Sequence, residues 1–222
     1  EARKKLLNEL TKKDFLVKEE NIRNKVPYGD RSNSIIEPFL TEQWFVDAKK
    51  LSVNAKKIVK SKKTKFFPIN WSKTYFQWMN NIKPWCISRQ LWWGHQIPAW
   101  YGPDNRVFVA MNVEDALKTA AKFYKKTVRL KQDEDVLDTW FSSWLWPISV
   151  FDGFGDDKTE FNYYYPTNVL VTGWDIIFFW VARMVFAGYE FTSEIPLKDG
   201  SERSLEDQKP FQDVYFTGMV RD

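Results

Sequence analysis

Histidine and cysteine are almost missing: the 222 residues hold one of each, His95 and Cys86. A lone cysteine excludes an internal disulfide framework and a cysteine-cluster zinc site. With a single histidine as well, no structural metal held by the chain alone is expected. Long apolar runs are missing too. The longest uncharged one, Ile176 to Ala182, falls far short of the roughly 20 residues that span a bilayer. No signal-peptide pattern opens the chain, since Glu1-Ala2-Arg3-Lys4-Lys5 leads into an amphipathic stretch. A soluble, reducing, cytoplasmic setting with no membrane contact is the expectation. The chain starts without Met and ends on Met219-Val220-Arg221-Asp222, so it reads as a piece of a longer protein.

What is present is aromatic surface. Hydrophobic residues make up 44% and aromatics 18%, enough to build a core, and the net charge of +4 permits an anionic partner such as RNA without demanding one. The stretch from Trp85 to Tyr101 packs five tryptophans or tyrosines into seventeen residues, mixed with Ser88, Arg89, Gln90 and His95. Rigid aromatic faces with a few placed polar groups are the make-up of a small-molecule pocket, and also of an aromatic core strand and turn. Composition alone leaves both open.

Periodicity sketches the rest. Leu6, Leu7 and Leu10 give a surface helix over residues 1–13, and Phe15 to Val26 is extended before the turn-rich residues 27–34. Lysines interleaved with Leu51, Ala55, Ile58 and Val59 give an amphipathic helix whose charged face is solvated or meets phosphates. A helix is expected after Pro68, with Tyr75, Trp78 and Met79 on its packing stripe, then a short strand at 106–111 and a helix at 113–125. The acidic run Asp133-Glu134-Asp135 and Asp138 precede a helix and suit its positive end. Val169 to Val171 reads as a buried parallel strand. Thr172-Gly173-Trp174-Asp175 then has the form of a capping box that opens an apolar helix. That strand-turn-helix puts Gly173 at the carboxyl end of a parallel strand, where open α/β sheets bind ligands. The polar residues 198–209 look like a lengthened, mobile surface loop.

Five blocks carry a resemblance. Trp85-Cys86-Ile87-Ser88-Arg89-Gln90-Leu91-Trp92-Trp93-Gly94-His95-Gln96-Ile97-Pro98 is similar to a segment of the class I aminoacyl-tRNA synthetases for aliphatic amino acids, closest to their valine-specific branch. Ile35 to Val46 resembles the segment returning from that family's editing insertion. Asp135 to Pro147 and Tyr163 to Met184 resemble its later catalytic blocks, and Phe211 to Asp222 its next strand and loop. The resemblance implies an α/β fold: the second half of a Rossmann-like catalytic domain with parallel strands, helices on both faces and a small strand-helix insertion at 105–131. Residues 1–34 would then end the editing insertion, and 35–222 would belong to the catalytic domain.

By the same resemblance, Trp93, Val136 and Trp140 face the amino-acid side chain, with Ser88, Arg89 and Gln90 positioning the pocket. Gly173, Trp174 and Asp175 hold the ribose side of adenosine, and Gly218, Met219 and Val220 cradle adenine. The family more often has Tyr at the Trp174 position and His at the Thr217 position. Asp175 read alone is a capping carboxylate, and His95 a structural histidine rather than a general base. The implied partners are valine, tRNA(Val) and ATP accompanied by Mg²⁺, in a monomeric protein. The family's H-I-G-H and K-M-S-K-S signatures do not occur in these residues, so the piece by itself is expected to be inactive. An isoleucine-specific relative and a non-catalytic RNA- or protein-binding paralogue remain alternatives.

Overall fold

The computed structural model describes residues 1–219, which divide into two compact units, Glu1–Glu42 and the described residues from Gln43 onward. The first unit holds helix α1 (Ala2–Lys12), none of whose residues is buried, and an irregular segment closed by a bridge between Tyr28 and Ile35.

The second unit is built on a parallel sheet. After β1 (Phe45–Val46) comes α2 (Ala48–Lys60), opened by Asp47, whose carboxylate accepts from the Lys50 N–H at 3.2 Å. Ala48, Ser52, Ala55, Ile58 and Val59 recur at helical spacing and form its buried face, leaving most of its lysines solvated. Strand β2 (Lys65–Phe67) follows, and α3 (Trp71–Asn80) starts three residues beyond Pro68. Tyr75 and Met79 are buried on α3, whereas Trp78 stays half exposed, stacked on Phe178 at 4.7 Å.

The short strands β3 (Trp85–Cys86) and β4 (Ser88–Arg89) lead to β5 (Ala99–Tyr101), β6 (Val107–Val109) and α4 (Val113–Tyr124), then β7 (Lys131–Gln132) and β8 (Val136–Leu137). Strands β6 and β7 both pair antiparallel with β5. Segment 105–131 is thus built directly onto the end of the Trp-rich stretch. Short helices α5 (Thr139–Ser143), α6 (Trp146–Ser149) and α7 (Thr159–Tyr164) precede β9 (Thr167–Gly173). A continuous helical run then leads into α8 (Arg183–Phe191), and the last strand is β10 (Phe211–Thr217).

The parallel order is β2-β10-β9. Its register sorts the side chains onto two faces. Phe66, Val214 and Phe216 are buried against α3 and α8 residues in the main core. Phe67, Tyr215, Val169 and Val171 lie on the opposite face. There Val169 is 51% and Val171 61% exposed, and Phe67 stacks on Tyr215 at 4.6 Å. The α/β class and parallel strands are as expected. One detail is corrected: β9 is not buried on both sides.

The helical run Trp174–Glu194 is long and apolar enough, by length and composition, to cross a membrane. Its Val181 to Gly188 portion is buried in the core, which makes it a core helix.

Residues 198–209 also differ from expectation. Arg203 is buried, donating to the Ile195 carbonyl at 2.9 Å and to Asn162, with its guanidinium 4.7 Å above the Phe161 ring. Gln208 is buried as well, and its carbonyl accepts from Tyr165 at 2.7 Å. Arg203 and Gln208 face inward because each finds a donor or acceptor there, while most of the segment stays exposed.

Candidate active site

Two places assemble from separate stretches of chain. The first lies at the carboxyl ends of neighbouring parallel strands. Thr217 pairs with Gly173 across β10 and β9, so Gly218 and Met219 leave the sheet beside Gly173–Asp175. Val220 lies outside the described residues. Past Gly173 the chain makes a 3₁₀ turn (Trp174–Ile176) and then a π-helical stretch (Ile177–Ala182). Such wide turns inside helices are frequent at functional sites.

The expected capping box does not form there, since no side chain caps this run. Instead the Asp175 carboxylate folds back against Gly173, into the volume a β-carbon would need. Trp174 stacks almost parallel on Trp71 of α3, with centroids 5.2 Å apart and planes 8° apart. An indole platform therefore backs the bend. Nothing in the residue order points to Trp71.

The second place is the Trp-rich turn. Arg89 and Val136 pair across β4 and β8, and Gln96 bridges to Val136 from the other side. Leu137 N–H donates to the His95 carbonyl at 2.7 Å. Gly94, at φ +153°, lies so close to Val136 that a β-carbon there would stand 3.0 Å from its side chain. Val136 is accordingly buried beneath the turn, while Trp93 on the turn is 92% exposed. Trp140 is partly buried on α5 and stacks on Phe179 of the π-helical stretch at 6.0 Å. The geometry joins the two tryptophan-bearing segments through β8 and joins Trp140 to the run that starts at Trp174.

Ser88, Arg89 and Gln90 fix the approach of the preceding chain. Ser88 Oγ accepts from the Trp44 N–H at 2.8 Å and donates to Gln43 Oε1 at 2.6 Å. Gln90 donates to the same Gln43 oxygen and, at 2.6 Å, to Asp135. Arg89 donates to the carbonyls of Cys86 and Ser88 and pairs with Asp138 at 3.3 Å.

The acidic cluster is a correction. No side chain caps α5. Asp133 accepts from the Trp44 indole at 2.8 Å, the Tyr101 hydroxyl at 2.7 Å and the Asp135 N–H at 2.9 Å. Burial raises the Asp133 pKa, yet these bonds outweigh it and hold the carboxyl below its ordinary value. The carboxylates tie distant segments together instead of capping a helix, because indole, phenol and guanidinium donors reach them first. His95 is exposed. Among the described residues no three His, Cys, Asp or Glu side chains come together as metal ligands.

Comparison with known proteins gives the family. The family model of class I tRNA synthetases (I, L, M and V) matches residues 9–222. A valine--tRNA ligase of Pelagibacter ubique (strain HTCC1062) is 66% identical over 222 residues, covering 100% of this chain and 24% of that protein. One of Bradyrhizobium diazoefficiens is 49% identical over 240 residues, again 100% of this chain and 24% of the relative. The chain thus spans about a quarter of the length of the curated relatives it matches. A solved leucyl enzyme, LeuRS of Agrobacterium radiobacter K84 in a ternary complex with tRNA and LeuAMS, aligns at TM-score 0.44 and 19% identity. That alignment covers 64% of this chain and 20% of the other, too shallow a likeness to carry weight. With the family model matching nearly end to end, the chain belongs to the class I tRNA synthetases of the I, L, M and V group.

Proposed function

We propose that the protein carrying this chain is a valine--tRNA ligase, acting as a monomer in the cytoplasm. This chain would supply part of its amino-acid pocket and adenosine site. The carrying observation is the meeting of Gly173–Asp175 with Gly218–Met219 at the ends of β9 and β10, followed by the helical run whose Phe179 stacks on Trp140. The identity with named valine--tRNA ligases supports the same reading.

In the proposed reaction a valine carboxylate oxygen attacks the α-phosphorus of ATP, brought in with Mg²⁺, and pyrophosphate leaves. A ribose hydroxyl at the 3′ end of tRNA(Val) then attacks the adenylate carbonyl and AMP leaves. Proteins assist such transfers mainly by positioning groups and stabilising charge. In this reading the Asp175 carboxylate accepts hydrogen bonds from the ribose hydroxyls, and glycine at 173 leaves room for that carboxylate and for the nucleotide. Gly218, Met219 and Val220 would line the adenine. Trp93, Val136 and Trp140 would offer flat and branched apolar walls to a side chain that has only methyl groups to recognise. Each methylene of misfit in such a pocket is worth about 1–3 kcal/mol.

Amino-acid-dependent exchange of pyrophosphate into ATP by the full-length protein tests this. The expected result is exchange with valine well above isoleucine. The reverse preference would make it the isoleucine-specific relative, and no exchange with either would make it a non-catalytic paralogue. The 222-residue piece alone is expected to give none.

A further inference from the structure

Asp138 stands immediately before α5, yet its carboxylate makes no capping bond. It points inward, is 6% exposed, and accepts from the Trp85 indole N–H at 2.9 Å. Arg89 approaches one oxygen at 3.3 Å, and Arg183 the other at 3.6 Å. Arg183, itself 6% exposed, lays its guanidinium 3.8 Å from the Trp85 ring centroid and 5.4 Å from that of Phe179. Phe179 is the ring on which Trp140 stacks. A closed circuit therefore runs from Asp138 through Arg183 and Phe179 to Trp140, two residues further along the chain than Asp138.

An arginine is costly to bury at this place. Burial pulls the Arg183 pKa down to about 10, against the attraction of Asp138 and with the repulsion of Arg89 adding to the fall. The Arg183 nitrogen that faces Asp138, Nη1, is buried, and at 3.6 Å from the carboxylate it is paired by charge without a hydrogen bond. Apolar side chains that replace buried ion pairs are often neutral or stabilising, whereas a fixed charge pair can specify one arrangement. Arg183 is also the first residue of α8, where the wide turns that follow the Trp174–Asp175 bend return to ordinary helix.

We infer that Asp138 and Arg183 are positioning residues that hold Trp140, and with it the valine pocket, in place against the helix leaving the nucleotide bend. This rests on the function proposed above. Neither residue touches substrate in this assignment. Both act through the ring of Phe179 and through the backbone that joins Asp138 to Trp140.

The test compares Arg183→Met, Arg183→Lys and Asp138→Asn in the full-length protein. For Arg183→Met the KM for valine in pyrophosphate exchange is expected to rise about tenfold or more with the KM for ATP nearly unchanged, a split that general destabilisation would not produce. Arg183→Lys, which keeps the charge, should recover part of the loss. Equal changes in both KM values, or none, would overturn the inference. Should the wild-type protein show no valine-dependent exchange, the functional reading fails and the positioning claim is read separately. With 5-fluorotryptophan incorporated, Arg183→Met and Asp138→Asn should each move the ¹⁹F signal assigned to Trp140, and an unmoved Trp140 signal would sink it.

Discussion

The carboxylate of Asp175 occupies the space that a β-carbon on Gly173 would take. The glycine is thus required by its neighbour and not by its backbone, which sits at φ −69° and ψ 145°, a conformation open to any residue. A sign change follows. Gly173→Ala in the wild-type background forces Asp175 out of its place and should lower both thermal stability and affinity for ATP. In an Asp175→Ala background the same substitution meets no obstacle. There it should stabilise by about 0.4–1 kcal/mol, through the reduced entropy of the unfolded chain. Thermal unfolding of the four proteins of this cycle reads the sign directly.

Gly94 gives the opposite case. Its φ of +153° is strained for any L side chain, and Val136 lies within 3.0 Å of the missing β-carbon. Gly94→Ala should therefore cost about 1–3 kcal/mol of stability. Trimming Val136 to glycine, which takes away the whole crowding side chain, should not restore it, since the backbone strain remains. Recovery in the double variant would show that crowding alone fixed the residue.

Trp71 and Trp174 are stacked closely enough for their indole transitions to couple. The 222-residue chain should show a paired far-ultraviolet circular dichroism signal, lost equally in Trp71→Phe and Trp174→Phe. If the proposed assignment holds, Trp71→Ala in the full-length protein should raise the KM for ATP several-fold while leaving that for valine nearly unchanged, because the indole backs only the bend assigned to the nucleotide. An unchanged spectrum in either variant would mean that the pair is not stacked in solution.

Much of this arrangement could be read from residue order. Helices α2 and α4 follow from apolar spacing, and the Val169–Gly173 strand from its β-branched run closing on glycine. What could not be read depends on distant partners. Strand β2 is only Lys65-Phe66-Phe67, and nothing local marks it as a strand until Phe66 pairs with Val214 in β10. Asp138 has the local signature of a helix cap, and only the fold brings Trp85, Arg89 and Arg183 to compete for its oxygens. One signal was available. A single arginine inside Ile176-Ile177-Phe178-Phe179-Trp180-Val181-Ala182-Arg183-Met184 must find an acidic or aromatic partner if the helix is buried.

Alkaline unfolding gives the last prediction. Burial pushes the hydroxyls of Tyr75, Tyr165 and Tyr189 far above the ordinary tyrosine value of 10.0, with the Glu206 charge adding to the effect at Tyr189. Below pH 10 each phenol is protonated whether the chain is folded or not, so it adds no pH dependence. Above pH 10 the unfolded chain releases these protons and the folded chain keeps them, so stability falls as pH rises. Arg183 works the other way: held at about 10 when folded, it loses its proton there before an unfolded arginine would. Tyr75→Phe should therefore flatten the decline by about 1.4 kcal/mol per pH unit. At neutral pH it should cost only about 1 kcal/mol, for the bond from Tyr75 to the Ala55 carbonyl. Arg183→Met should steepen the decline. Urea unfolding of the 222-residue chain between pH 8 and 11 separates the two effects, and parallel curves for wild type and Tyr75→Phe would show that this phenol ionises in the folded chain as readily as in the unfolded one.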